Sequence, residues 1–198
     1  MTSKTQAIVL ATTKHKDNAT ILHLYTAENG RIGYVAYGNK YKGLLTPLSI
    51  VEVTANEHSM GKAERGFPTV SAMALTYMPK YIPIDVRRQC VAMFIAEILN
   101  KTLRHPMQDK ELFAWLCRVV QELDETERVE NLHLRFLIDY TTFLGIGIDA
   151  TEHPTWIEVP RNRAERQAHL REICTYYEEH IDGFTQPKSL DVLMEVFD

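Results

Sequence analysis

The sequence is poor in cysteine, with three residues in 198. Cys90, Cys117 and Cys174 lie far apart among apolar neighbours, a pattern typical of small buried side chains. No C-x-x-C pair occurs, and the eight histidines show no H-E-x-x-H spacing. We therefore expect no metal site.

Long apolar stretches are also missing. No run approaches the roughly 18 apolar residues that a membrane-spanning helix needs, and residues 1–6 lack the apolar core of a signal peptide. Apolar residues make up 45% of the chain and charged residues 24%, as in ordinary globular proteins. We expect a cytoplasmic protein without a membrane partner.

Motifs for catalysis are absent as well. Neither G-x-S-x-G nor G-x-x-x-x-G-K-[ST] occurs, and the glycines of Gly145–Ile148 follow a predicted helix, where glycine ends helices. Glu97 and Asp139 are the two carboxylates in apolar surroundings, and both fall at the polar edges of predicted helices. We expect no catalytic residue and no cofactor, so a hydrolase or nuclease is the least favoured class.

The charge is distributed unevenly. Residues 1–81 carry nine Lys and Arg against five Asp and Glu, a balance of +4, whereas residues 82–198 carry 13 against 21, a balance of −8. The change falls at Pro79–Pro83, where prolines interrupt regular structure. We expect two domains, residues 1–80 and 81–198, and an anionic partner for the first.

The first half of the chain has the pattern of a small barrel. Asn29-Gly30 predicts a hairpin with a type I′ turn, and five short strands in about 75 residues avoid exposed edges by closing. The runs rich in branched and aromatic residues are Gln6–Thr13, Thr20–Thr26, Arg31–Gly38, Leu48–Ala55 and Thr69–Tyr77.

The second half has helical periodicity. The apolar run Cys90–Ala96 predicts a helix that is buried nearly all round. The predicted helices are Val86–Leu103, Asp109–Leu123, Val129–Leu144, Arg161–Ile181 and Ser189–Phe197. The expected fold class is therefore α+β, with a five-stranded barrel followed by an all-α domain.

Two lysines surround a tyrosine between Gly38 and Gly43, at the end of the predicted third strand. Strands two and three of such a barrel, with their loops, usually form an oligonucleotide-binding face. Lysines follow phosphates, and a tyrosine ring stacks on any base. The predicted nucleic-acid-binding residues, expected on one side of the barrel, are Lys14, Lys16, Arg31, Lys40, Tyr41 and Lys42. The alternative is that the lysines are merely solvated and that Tyr41 packs against its neighbours.

Several blocks of sequence, in this order, resemble the RecO recombination-mediator family. In the first half they are Thr5–Leu10, Asn18–Thr26, Gly30-Arg31, Val35–Gly38 and Leu45–Leu48. In the second half they are FIAEILNKTL (94–103), ELFAWL (111–116), NLHLRFLIDYTTFLGI (131–146) and a tail at 163–197 that is similar to the Bacteroidetes branch.

This resemblance implies an N-terminal OB-fold, a helical domain and a nucleoid-associated role in DNA repair without nucleotide hydrolysis. It further implies binding to single- and double-stranded DNA, annealing of complementary strands, recognition of the acidic tail of single-stranded-DNA-binding protein (SSB), and work with RecR, with RecF as a further candidate partner. An acidic tail that ends in an apolar residue needs an apolar pocket with a cation at its rim. Our candidates for this cation are Lys101, Arg104 and Arg135, although Arg135 is also spaced to pair with Asp139.

The chain departs from the family pattern in two places. Many relatives carry a four-cysteine zinc module after the third helix, whereas residues 148–160 contain no cysteine. Relatives also have a longer, more arginine-rich loop after the Gly38 position, where this chain has only Lys40 and Lys42. An alternative function is therefore a protein–protein adaptor whose degenerate barrel no longer binds DNA.

Overall fold

A computed structural model describes residues 2–15, 18–56, 67–148, 151 and 153–197. Five strands precede six helices; the sequence pattern predicts the five strands and five of the helices, but not the short helix at Pro154–Ile157. The strands are β1 (Thr2–His15), β2 (Ala19–Thr26), β3 (Gly30–Tyr37), β4 (Ile50–Asn56) and β5 (Thr69–Leu75). The helices are α1 (Val86–Thr102), α2 (Lys110–Glu125), α3 (Leu132–Leu144), α4 (Pro154–Ile157), α5 (Arg163–His180) and α6 (Leu190–Val196). None of the described helices is long and apolar enough to cross a membrane.

The strands form a closed barrel in the order β1-β2-β3-β5-β4, which confirms the predicted architecture. Strand β1 is 14 residues long and pairs with both β2 and β4. A bulge between Val9 and Ala11 bends β1, so that its N-terminal half pairs with β4 and its C-terminal half pairs with β2. Val35 pairs in parallel with Thr69 and closes the barrel.

Apolar side chains fill the barrel interior because residues alternate in and out along each strand. Each of the five strands contributes buried residues to this core, and one member, Tyr41, comes from the connection between β3 and β4. The buried set is Ala7, Val9, Leu22, Leu24, Tyr34, Ala36, Tyr41, Val51, Val53, Ala55, Val70 and Met73.

The β2–β3 hairpin turns through Gly30, and the predicted type I′ geometry is wrong. Only Gly30 has a positive φ (66°), and Asn29 does not. The Thr26 hydroxyl accepts a hydrogen bond from the Asn29 amide at 3.1 Å and donates one to the Gly30 carbonyl at 3.0 Å. The turn is thus a three-residue loop, residues 27–29, held by the Thr26 side chain and followed by a glycine in the left-handed conformation.

The chain forms two compact units. One comprises residues 1–79 and 103–120, and the other comprises residues 80–102 and 121–198. The proposed domain boundary near residue 80 coincides with the first break, but residues 103–120 group with the barrel. Their contacts explain this, because the Tyr25 hydroxyl donates to the Asp109 carbonyl at 3.4 Å and the Tyr25 ring lies 6.1 Å from that of Phe113.

The second unit, here called the helical unit, is built around α1. Eight α1 residues are buried, which confirms the prediction of a helix buried nearly all round. The Asp124 carboxylate is fully buried and accepts hydrogen bonds at 2.8 Å from the backbone amides of Lys80, Tyr81 and Ile82. These bonds secure the segment that enters α1.

Candidate nucleic-acid interface

A groove of about 520 Å³ opens at one end of the barrel. Two of its lining residues, Lys14 and Lys42, are basic, and no Asp or Glu is among the described residues that line it. Polar, uncharged side chains provide further hydrogen-bonding groups. The lining residues are Thr12, Lys14, Asn18, Ala19, Thr20, Ala36, Gly38, Asn39, Tyr41, Lys42 and Leu45.

The strand register brings Lys14 to this groove. Lys14 lies within β1, not in the predicted loop, and pairs with Thr20 of β2. The bulge after Val9 shifts the in–out alternation of side chains along β1. Beyond the bulge Thr12 pairs with Leu22, a residue of the barrel core, so the Thr12 side chain is on the core-facing side of the strand. Lys14 is two residues further and shares that face. It is exposed at the point where the barrel interior meets solvent.

The turn after β3 places Lys40 and Lys42. Gly38 adopts a positive φ of 73°, and its amide donates to the Asn18 carbonyl at 3.0 Å. A single 3-10 turn at Lys42–Leu44 follows, and both lysines are exposed. The Lys40 ammonium lies 5.2 Å from the centre of the Tyr41 ring.

Tyr41 does not have the geometry predicted for a base-stacking residue. Its side chain is 7% exposed and belongs to the barrel core. Its hydroxyl donates to the Ser71 carbonyl at 2.9 Å. A ring held in this way has no open face for a base, so the alternative interpretation, packing against neighbours, describes Tyr41.

Arg31 is not on the same side as Lys14. It pairs with Tyr25 near the hairpin turn, whereas Lys14 and Lys42 lie at the opposite end of β3, about 20 Å away at 3.3 Å per residue. Arg31 is half-buried, and this burial lowers its pKa. Burial and then the Arg31 charge lower the pKa of the neighbouring His23. The remaining predicted residue, Lys16, lies outside the described residues.

The helical unit contains its own pocket, of about 390 Å³. Apolar side chains from α3 and α4 form its walls, and Arg128 and Arg135 are its cations. The Arg135 guanidinium is paired with the Glu122 carboxylate. The pocket is lined by Glu122, Thr126, Arg128, Asn131, Leu132, Leu134, Arg135, Ile138, Asp139, Trp156, Ile157, Glu158, Val159 and Pro160.

Of the three residues predicted to bind the SSB tail, only Arg135 lines this pocket. The Lys101 ammonium donates to the Thr185 hydroxyl at 2.8 Å and lies 3.8 Å from the Glu97 carboxylate. Arg104 is exposed and groups with the barrel unit. The structure therefore does not bring Lys101, Arg104 and Arg135 together within the helical unit.

Sequence reasoning missed the wall that α4 provides. Trp156 is buried, and its indole N–H donates to the Glu172 carboxylate at 2.8 Å. Its ring stacks on that of His153 with centroids 3.9 Å apart. Pro154 at the first helical position was the available signal, because proline is favoured there.

The two carboxylates singled out in the sequence have pKa values shifted in opposite directions. Burial tends to raise the Glu97 pKa, but hydrogen bonds from Lys188 and Ser189 and the charge of Lys101 lower it overall. Burial raises the Asp139 pKa, with Arg135 opposing this and Glu122 adding to it. Across the described residues, no three His, Cys, Asp or Glu side chains are grouped to hold a metal ion.

Comparisons with known proteins agree on one family over both units. The model for the recombination protein O N-terminal domain matches residues 1–73, and that for the C-terminal domain matches residues 84–154. Proteins named DNA repair protein RecO from Flavobacterium psychrophilum and Phocaeicola vulgatus are 28% and 29% identical to this chain. In both comparisons the alignment covers all of each chain. A RecO from Porphyromonas gingivalis is 27% identical over 98% of each chain.

Proposed function

The chain belongs to the RecO family of DNA repair proteins, and we propose that it is a non-enzymatic recombination mediator that binds DNA in the groove at the end of its barrel. The observation that supports this most directly is that Lys14 and Lys42 line the same groove, whose other described lining residues are uncharged. Lysine ammonium groups can contact the phosphates of a nucleic-acid strand, and the neighbouring amide and hydroxyl groups can form hydrogen bonds to its phosphates and sugars.

The experiment is a titration of fluorescently labelled oligonucleotide with the full chain. In the Lys14→Glu/Lys42→Glu variant, two attractive charges become repulsive, so we expect binding to fall by at least tenfold. The matched control is Lys110→Glu/Arg118→Glu, which makes the same change in net charge at two exposed positions of the same unit. Equal affinity in both variants would contradict the proposal and favour the adaptor function.

For the helical unit we propose binding of the acidic SSB tail in the pocket that Arg135 lines. The apolar walls suit the apolar end of such a tail, and Arg128 and Arg135 suit its carboxylates. Because the Arg135 guanidinium already forms an ion pair with the Glu122 carboxylate, a carboxylate of the tail must displace Glu122. Holding DNA and SSB on one chain would favour annealing of SSB-coated strands, and work with RecR is proposed from the family resemblance alone.

That competition gives two variants with opposite expected effects. Arg135→Glu should weaken binding of a synthetic SSB-tail peptide by at least tenfold, since a carboxylate would then face a carboxylate. Glu122→Gln should strengthen it, because it releases the guanidinium. Arg171→Glu, at an exposed position on α5, is the matched control and should leave affinity unchanged. Calorimetry that shows the same affinity in all three would remove this pocket from the proposal.

A further inference from the structure

Helix α4 is a single turn, and together with the residues that follow it forms one wall of the pocket in the helical unit. Trp156, Ile157 and Val159 are the large apolar side chains of this part of the lining, here called the α4 wall. Ile157 is 59% exposed and Val159 is 76% exposed. A ligand in the pocket can therefore cover apolar surface that water now contacts, which favours an apolar group on that ligand.

One turn of helix is not stable by itself, because it forms too few hydrogen bonds to offset the ordering of its backbone. The position of α4 must therefore be set by contacts with the rest of the unit, and α5 supplies two of them. The indole N–H of Trp156 donates to the Glu172 carboxylate at 2.8 Å. The Tyr176 ring lies edge-on to the Trp156 ring, with centroids 5.7 Å apart. Trp156 is thus the residue through which α5 holds the wall.

The two α5 residues differ in what else they contact. The Tyr176 hydroxyl donates to the Ile146 carbonyl at 2.8 Å, and its ring stacks on that of His180, so it also packs other parts of the unit. Glu172 is an exposed residue and is not among the described residues that line the pocket. Its hydrogen bond to Trp156 is charge-assisted and therefore strong for its kind. An effect of Glu172 on a ligand in the pocket would have to pass through Trp156.

We propose that Glu172 is a positioning residue for this pocket. By holding Trp156 it fixes the α4 wall against the last residue of the bound peptide, and so sets how strongly the pocket prefers a large apolar residue there. This inference rests on the proposed binding of the acidic SSB tail. It adds a division of roles, in which Arg128 and Arg135 attract the carboxylates of any such peptide and the α4 wall distinguishes one last residue from another.

The test is calorimetry of the full chain with two synthetic acidic peptides that are identical except for the last residue, Phe in one and Ala in the other. The ratio of the two affinities is the readout, because a change in the charge of the protein affects both peptides alike and cancels. The unmodified chain should prefer the Phe peptide by roughly 10- to 100-fold, the range that burial of a phenyl side chain implies. In Glu172→Ala this preference should fall to about threefold or less, since a wall that is not held in place excludes less water from the phenyl ring.

Three further variants show whether the effect passes through Trp156. Glu172→Gln keeps an oxygen that accepts a hydrogen bond from the indole, and should retain the preference of the unmodified chain. Trp156→Phe removes the donor and should lower the preference, and adding Glu172→Ala to it should lower the preference no further. Glu179→Ala is the matched control, because it removes the same charge from another exposed position on α5, and it should leave the preference unchanged.

Several results would overturn the positioning role. They are a preference that stays unchanged in Glu172→Ala, one that falls equally in Glu179→Ala, weaker binding of both peptides by the same factor, and an unmodified chain that binds both peptides equally. The pocket itself would still stand in these cases if Arg135→Glu weakens both peptides. If the unmodified chain binds neither peptide, the proposed function of the pocket fails and this inference with it.

Discussion

The hydroxyl of Tyr41 donates to the carbonyl oxygen of Ser71 at 2.9 Å, and this bond joins the turn after β3 to β5. The same ring fills the end of the barrel core. A residue that lies between two exposed lysines is thus part of the packing that shapes the groove.

This arrangement predicts that Tyr41 acts on stability. Tyr41→Phe should lower the free energy of unfolding by about 1 kcal/mol through loss of one hydrogen bond. Tyr41→Ala should lower it by about 3 kcal/mol or more, because it also leaves a cavity. Urea unfolding measures both. The matched variant Tyr37→Ala, at an exposed position, should change stability by less than about 0.5 kcal/mol. Similar effects at the two tyrosines would contradict the burial seen here.

Alanine substitutions at three glycines can distinguish the cost of a positive φ from the cost of a steric clash. At Gly30, φ is 66° and a Cβ would lie 2.2 Å from the Met107 carbonyl oxygen, whereas Gly38 has a φ of 73° with nothing within 4 Å. At Gly43 neither constraint applies. Gly43→Ala should therefore be neutral or slightly stabilising, and Gly38→Ala should cost about 1–2 kcal/mol. Gly30→Ala should cost more than either, and thermal unfolding of the three variants should give that order.

Because His133 is buried, we expect the stability of the helical unit to fall in acid. It is 1% exposed, and its ring lies 5.7 Å from Phe197 and 6.3 Å from Phe94. Burial, and then the Arg166 charge, lower its pKa from 6.5 to about 3. The unfolded chain therefore binds a proton that the folded chain excludes between these values, so stability should fall as the pH drops from 6.5 towards 3. The slope contributed by this residue approaches about 1.4 kcal/mol per pH unit.

The measurement is urea unfolding at a series of pH values from 7.5 down to 4.5. His133→Leu removes the titrating group and should flatten this part of the pH dependence. His105→Gln, at an exposed histidine, is the control and should retain the steeper dependence. If both variants lose stability equally on acidification, His133 is not the responsible group.

The charge of the groove predicts a defined salt dependence of DNA binding. If Lys14, Lys40 and Lys42 each neutralise one phosphate of a single strand, log K should fall against log salt with a slope of about −2, at 0.7 per contact. Replacement of Lys14 and Lys42 by glutamine should reduce the slope towards about −0.7. A slope that does not change in this variant would mean that these lysines do not contact phosphate.

Much of the fold follows from local pattern. Alternation over Thr20–Thr26 and Arg31–Gly38 predicts β2 and β3, and the apolar run Cys90–Ala96 predicts the buried α1, because burial on one face or all round leaves a period in the chain. The closed barrel also follows, since five short strands have few other ways to cover their edges. The resemblance to the family could also be recognised from the sequence, because it rests on the order of the matching sequence blocks along the chain.

The site depended on relations that no local pattern contains. Tyr37 and Tyr41 lie four residues apart in one polar stretch, and only the turn at Gly38 decides that the second enters the core while the first stays outside. Lys14 and Arg31 were expected together, but the register of β1, β2 and β3 puts them at opposite ends. The sequence by itself determined the elements and the basic character of the first half. The tertiary structure alone decided which charges share a surface, because that depends on strand pairing between residues distant in the chain.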